Sequence, residues 1–409
     1  MNAKEQGRRR FLKSGAALAG LAVGGPPSAS GQPMSADVSR IPPYGVRSRF
    51  ETSHRGSGRL HSGQSPLQDS VGIITPNPLH YVVSHGAWSP DIDPQAHRLL
   101  VDGMVDRPLV FTMDELKRLP SVTRTHFLMC AGSSYVTRGP RRNARTVQET
   151  HGWTSCAEWT GVPLSIVLDE AGVQDGASWV VAEDVTKKWT VSIPLAKAMD
   201  DTVLVYGQNG EAIRPEQGYP LRMLAPGFEG TRSTKWLRRI KVVDEAYLTR
   251  WEITVYTNLM PDGKARWFQF EFEPNSVITF PSGEQQLPGP GFFEITGLAW
   301  SGGGAVSRVE VSVDGGRTWA DAQIQEPVHR MAHTRFRFPW QWQGGEATLQ
   351  SRCTDERGDI QPSLAELNQI WGVDNEYWTT STNRVQHLNA IQPWKVDRDG
   401  SVHNAIWES

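Results

Sequence analysis

One thiol stands where chemistry is easiest to arrange: Cys130 ends the apolar run His126-Phe-Leu-Met and is followed at once by Ala131-Gly132-Ser133-Ser134. The run reads as a buried strand, and the small residues after it let a ligand approach backbone and sulfur with no bulky side chain between. A lone cysteine after Phe-Leu-Met also suits a packed core, so the rest of the chain must decide what the sulfur does. A second stretch runs from Pro215-Glu-Gln217-Gly-Tyr-Pro-Leu-Arg222 through Gly227-Phe-Glu-Gly230 to Ser233-Thr234-Lys235 and a basic strand ending at Lys241. Gly227 and Gly230 are expected to turn backbone N–H groups toward an anion, while Arg222, Ser233, Thr234 and Lys235 add charge and hydroxyls, a set that suits one phosphate. A solvated basic strand edge accounts for the same charges equally well.

The elements that position these groups are short and mixed. His97 to Gly103 reads as a strand and turn. Thr112-Met-Asp-Glu115 is a capping box for a helix that runs to Leu119 and stops at Pro120. Pro163 fits a first helical turn, Leu164, Val167 and Leu168 form an apolar face, and Gly172 closes that helix. Ser178 to Asp184 is a further buried strand ending in a carboxylate. Short strands and helices without regular βαβ spacing predict an α+β domain over 71–248. From 285 the texture becomes regular β: Val309, Val311 and Val313 alternate with polar residues up to the turn Asp314-Gly315-Gly316, and Phe336, Phe338 and Trp340 alternate likewise. These strands predict an immunoglobulin-like β-sandwich over 285–395, with an interdomain segment at 249–284 and a tail at 396–409.

At 409 residues the chain has room for two or three cores. A formal charge of -2 argues against a nucleic-acid surface. Arg8-Arg9-Arg10-Phe11-Leu12-Lys13, a short apolar run from Ala16 to Val23, and small residues at 26–30 read as a twin-arginine export signal over 1–30, which places the mature protein in the periplasm. The apolar run is too short to span a bilayer, which takes about 20 residues. Residues 31–70, rich in Pro, Ser, Gly and Arg, read as an extended arm. The cysteines are three, Cys130, Cys156 and Cys353, without a C-x-x-C or C-x-x-C-H motif. A zinc cluster and covalently attached haem are therefore not expected, and an oxidising compartment leaves at least one thiol unpaired.

Taken together, Cys130, Gly218-Tyr-Pro-Leu-Arg222 and Ser233-Thr-Lys-Trp-Leu-Arg-Arg239 resemble the sulfite oxidase family of molybdenum enzymes, from about residue 71 through the sandwich. Gly72-Ile-Ile-Thr-Pro-Asn77, Asp91-Ile-Asp93, Tyr206-Gly-Gln-Asn-Gly210, Leu259-Met-Pro-Asp-Gly263 and Gly297-Leu-Ala-Trp-Ser301 are similar to that family's sulfane dehydrogenase branch, which serves thiosulfate oxidation. The resemblance implies a molybdenum–molybdopterin cofactor whose metal is bound by the Cys130 thiolate, a soft ligand that metal binding would deprotonate. It places Tyr81, Ser84, His85 and Asp184 in contact with the pterin and Gln217 where the family usually has a pterin-contacting histidine. Arg222, Ser233, Thr234 and Lys235 fall in the phosphate pocket, and Tyr256 takes the position of the active-site tyrosine. It also makes the sandwich a dimerisation domain.

Two departures bear on substrate. The family arginine five residues after the metal cysteine is Tyr135 here, and the one two residues before His85 is Val83. The resemblance therefore implies a periplasmic oxidoreductase that oxidises sulfane sulfur on a sulfur-carrier protein by oxygen transfer and passes electrons to a separate c-type cytochrome. Sulfite dehydrogenase, methionine-sulfoxide reductase and a secreted binding protein with a decayed cofactor site are the alternatives. A cysteine hydrolase would need a base near Cys130, for which His126 is the nearest candidate in sequence.

Overall fold

The computed structural model describes residues 46–57, 62–84, 89–133, 144–380 and 387–408. The export signal expected over 1–30 and the positions of His85 and Tyr135 lie outside them. Two compact units are present, Met1–Thr52 and Ser53–Ser409. The described part of the first is a turn closed by the Glu51 N–H on the Ser48 carbonyl at 3.0 Å.

The second unit begins with an α+β region of two sheets. In one, Val122–Met129 pairs antiparallel with Thr154–Pro163, which pairs with Val203–Gln208, and Arg222–Leu224 joins that strand from its other side. Phe127 lies opposite Cys156 and Met129 opposite Thr154, so the register brings Cys130 out at the sheet's end. In the other sheet Arg98–Gly103 and Leu237–Val243 run parallel, flanked by Leu109–Thr112 on one side and by Trp179–Asp184 and Thr190–Pro194 on the other. The expected helices are present. Thr112 and Glu115 form a reciprocal capping box on Met113–Arg118, and Leu164–Ala171 buries Leu164, Val167 and Leu168 and ends on Gly172 at φ 72°. Glycine is suited to that left-handed position because it has no Cβ to clash with the carbonyl. Pro163 stands one residue before the helix rather than inside its first turn.

The sandwich packs two antiparallel sheets over Trp300, Phe336, Leu349, Cys353 and Trp394. One sheet orders Asn275–Phe280, Gly291–Trp300, Thr334–Trp342 and Gln323–Ile324; the other orders Ala320–Asp321, Val306–Ser312, Ala347–Asp355, Trp394–Val396 and Val402–Asn404. Val309, Val311 and Phe336 point inward as their spacing predicts, while Val313 and Phe338 are only half-buried. The Asp314-Gly-Gly turn is wider than a two-residue hairpin, since pairing resumes only at Ala320, and Asp314 fills it by accepting from Thr318 and Ser312.

Three expected boundaries are corrected. Asn275–Phe280, inside the expected interdomain segment 249–284, is a sandwich strand. It was missed because its residues through Thr279 are buried on both faces, which erases alternation. The expected tail 396–409 holds a strand that closes the second sheet, and Asn404 reaches back to donate to the Ala144 carbonyl at 2.8 Å. Within the expected arm, Leu67 enters the core, and Arg335 holds the carbonyls of Ser70 and Gly72. All three cysteines are free. Among the described residues no helix is long and apolar enough to cross a membrane.

Candidate cofactor pocket

Cys130 is set by backbone bonds on both sides. Its N–H donates to the Trp153 carbonyl at 2.9 Å, its carbonyl accepts from Ser133 at 2.9 Å, and its sulfur accepts from the Gly132 N–H at 3.3 Å. The strand end thus delivers the thiol into a cavity whose wall also includes Tyr81, Ser84, Asp184, Gln217, Arg222, Ser233 and Lys235. Eight of the eleven residues expected at the site converge there. Thr234 sits fully buried just behind the lining, Tyr256 is buried off it, and His85 lies outside the described residues.

Burial pushes the Cys130 thiol up to about 11, with Glu229 pushing the same way against the Gly132 N–H and Lys235. A thiol so placed is protonated at neutral pH and a poor free nucleophile. His126 lines a separate groove, and burial lowers it to about 4, so the cysteine hydrolase has lost its candidate base. A metal, by contrast, displaces the proton itself. Among the described residues no three His, Cys, Asp or Glu side chains converge on a point.

The other end of the cavity is cationic and short of partners. Gln217 donates to the Tyr81 carbonyl at 2.8 Å and accepts from Arg222 at 3.1 Å, which fixes the guanidinium 5.6 Å from the Trp159 ring. The Nε of Arg222 and the hydroxyl of Thr234 are buried with no hydrogen-bond partner among the described residues. Leaving such groups unmet is costly unless an acceptor comes from outside the chain. Lys235 donates to the Val83 and Glu216 carbonyls, both at 2.8 Å. Gly218, at φ 115°, makes room for it: a Cβ there would lie 3.1 Å from the Lys235 backbone. These donors fit the phosphate and polar edges of a pterin cofactor. The expectation for Gly227 changes. It packs against Gly302 in the sandwich, where a Cβ would lie 2.6 Å from a carbonyl oxygen, and only Gly230 reaches the pocket.

Burial, followed by the Arg222 charge, lowers the Lys235 ammonium to about 7, against the pull of Glu216 and Cys130. Only its charged form attracts an anion. The unloaded protein should accordingly bind sulfate, whose charge is constant over this range, about tenfold more weakly at pH 8 than at pH 6. Lys235→Met should bind weakly with no such slope. Titration calorimetry reads both, and a flat wild-type profile would remove Lys235 from the anion site.

Sequence reasoning missed a wall of Thr186, Lys188, Trp189, Trp236 and Trp251. Trp189 and Trp251 pack with centroids 5.0 Å apart, and the Trp189 indole donates to the Thr231 carbonyl at 3.2 Å. Thr186 donates to both oxygens of Asp184. No local motif marks these residues; the nearest signal was the carboxylate at the end of the Trp179–Asp184 strand.

A lone thiol at a strand end, facing cationic and unmet donors, suits a bound cofactor with a soft metal at one end and an anionic group at the other. Residues 85–251 match the oxidoreductase molybdopterin binding domain and 266–385 the Mo-co oxidoreductase dimerisation domain. The chain is 30% identical to rat (Rattus norvegicus) mitochondrial sulfite oxidase, with 86% of this chain and 68% of that protein covered. It is 33% identical to the NADH nitrate reductase of Solanum lycopersicum over 79% of this chain and 39% of the relative, so it spans about two fifths of that longer protein. In structure it is similar to the sulfane dehydrogenase SoxCD of Paracoccus pantotrophus, with 37% identity, a TM-score of 0.82, and 92% of this chain and 96% of that one covered. The chain belongs to the sulfite oxidase family of molybdenum oxidoreductases. Its molybdopterin-binding domain implies a molybdenum–pterin cofactor.

Proposed function

We propose that the protein oxidises sulfane sulfur held on the cysteine of a sulfur-carrier protein, in the periplasm, and passes the electrons one at a time to a c-type cytochrome. Each cycle removes two electrons from sulfur, takes oxygen from water and releases two protons. The bound cofactor supplies the two-electron oxygen exchange. The chain's own residues would hold it: Cys130 at the metal, Arg222, Ser233, Thr234 and Lys235 at the phosphate, and Tyr81, Ser84, Asp184 and Gln217 along the ring system. Methionine-sulfoxide reduction, which runs oxygen transfer in the opposite direction, is ranked below this because this chain carries the appended dimerisation domain over 266–385.

The observation that carries the substrate reading is the Val83 position. Free sulfite is small and strongly hydrated, and each charged hydrogen bond that replaces its water contributes roughly 1.5–3 kcal/mol. At residue 83 the pocket wall presents an apolar side chain, and its carbonyl is taken by Lys235. A carrier protein can draw affinity from contacts outside the pocket, which a free anion cannot. The similarity to a sulfane dehydrogenase supports the same reading. Sulfite dehydrogenase is the second reading, favoured by Lys188, an exposed cation on the same wall. The dimerisation domain supports a homodimer through the sandwich.

Steady-state kinetics with a c-type cytochrome acceptor decide between the two. We expect the persulfidated carrier to give the higher kcat/KM. A much higher value for free sulfite would replace this reading with sulfite dehydrogenase, and a molybdenum-free exported protein would replace both with a binding function.

A further inference from the structure

His387 lies in sequence between the sandwich strands Ala347–Asp355 and Trp394–Val396 and buries its imidazole, 5% exposed as a residue, against the wall of the cofactor pocket. Its ring stacks on Phe272 with centroids 4.5 Å apart. One nitrogen lies 2.9 Å from a Glu229 oxygen and the other 3.1 Å from Glu273, whose second oxygen accepts from Gln269. Glu229 in turn begins the wall. Its other oxygen accepts from Thr231 at 3.3 Å, its N–H donates to the Phe270 carbonyl, and its own carbonyl accepts from Arg232. The next residue, Gly230, is pressed so closely that a Cβ would lie 2.7 Å from the Met129 carbonyl and 2.8 Å from the Tyr81 hydroxyl. Gly230, Thr231 and Ser233 all line the pocket.

Two roles fit a histidine between two carboxylates: passing protons out of the pocket, or holding the wall as a fixed cation. The charge state decides. Burial pulls the imidazole down, but Glu273 and Glu229 together overcome it and raise it to about 10. These two are the charged groups that face it; Arg232 reaches it only through Glu229. An imidazolium with a proton on each nitrogen has no site to accept another, so it is a tether and not a relay.

We propose that His387 is a positioning residue for the pocket, clamping the 229–233 wall to the sandwich by pairing with Glu229 and Glu273 at once. The role is independent of which sulfur compound is oxidised. It makes retention of the cofactor depend on a residue that touches neither metal nor pterin.

The test uses the full-length holoprotein, with His387→Gln to remove the charge and Glu273→Gln to weaken it. At pH 7, hydrogen–deuterium exchange in the peptide covering 229–233 should be at least about tenfold faster in His387→Gln, because a buried carboxylate left without its partner is strongly destabilised. Strands far from the clamp, such as Ala347–Asp355, should exchange as in the wild type. Molybdenum release from the wild type should quicken as pH rises toward 10, the range in which the imidazolium is lost; in His387→Gln release should be fast and flat across it. In Glu273→Gln the wild-type rise should move to lower pH. Unchanged protection and an unchanged pH dependence in His387→Gln overturn the clamp. Should that variant fail to fold, an unshifted rise in Glu273→Gln overturns it instead. The exchange measurement needs no metal, so faster exchange in a preparation without molybdenum upholds the clamp while removing the oxidoreductase reading.

Discussion

Replacing Cys130 by serine should abolish turnover and leave the fold intact. An alcohol is a harder and far less acidic donor than a thiol, and it keeps the space and the Gly132 N–H contact that now stabilise the sulfur. The buried cations and the Gln217–Tyr81 bond at the other end of the cavity are untouched, so much of the pterin should stay bound. Changes one step removed from a metal ligand cost about 10–100-fold, and loss of the ligand itself should exceed the upper end of that range. Metal analysis, thermal unfolding and kcat on the same preparation separate these effects. Activity within a few-fold of wild type would mean that the metal ligand is not Cys130.

Arg232→Met should produce a large loss of stability. The guanidinium is fully buried, paired with Glu252, 3.6 Å from Glu229, and bonded to the Ser192 carbonyl. It lies 4.2 Å from the Phe268 ring centroid and 4.9 Å from that of Phe270. Glu252 is equally buried, and it also accepts from the backbone of Ser192 and Thr249, each at 2.8 Å. Methionine would fill the space and leave the Glu252 carboxylate without its counter-charge, at a cost of about 3–5 kcal/mol. Adding Glu252→Gln should recover part of it, since the stranded charge is then gone. Denaturant unfolding reads both variants. A single mutant within about 0.5 kcal/mol of wild type, the usual range of surface changes, would show that the cluster contributes little.

What could be read from the sequence was whatever is decided locally. The Thr112–Glu115 box, the Leu164–Ala171 helix and the inward Val309 and Val311 depend on neighbours a few residues away, and all stand where their spacing put them. Cys130 was legible for the same reason, because a strand end followed by small residues is itself a local signature. Residues that gain meaning from distant partners were not legible. Glu229 and His387 are 158 positions apart, and a single histidine in a polar stretch carries no sign of the buried Glu229 and half-buried Glu273 carboxylates waiting for it. Lys188, Trp189 and Trp251 belong to the pocket because a loop and a short helix meet over it, which no pattern within either segment records. The run Asn275 to Phe280 failed for a different reason: burial on both faces removes the alternation by which a strand is recognised.

The last described segment of the chain reaches back across most of its length. Asn404 bonds to Ala144, 260 positions earlier, and His387 closes on the wall that begins at Glu229. Synthesis proceeds from the other end. When the molybdopterin-binding region has left the ribosome, the groups that fasten its pocket from outside are still unmade, so a domain that folds as it emerges would do so with one wall unsecured. On the proposed clamp, completion of the pocket wall thereby waits on synthesis of residues 387–404. A chain cut short before residue 387 should therefore build most of the pocket and hold its cofactor poorly.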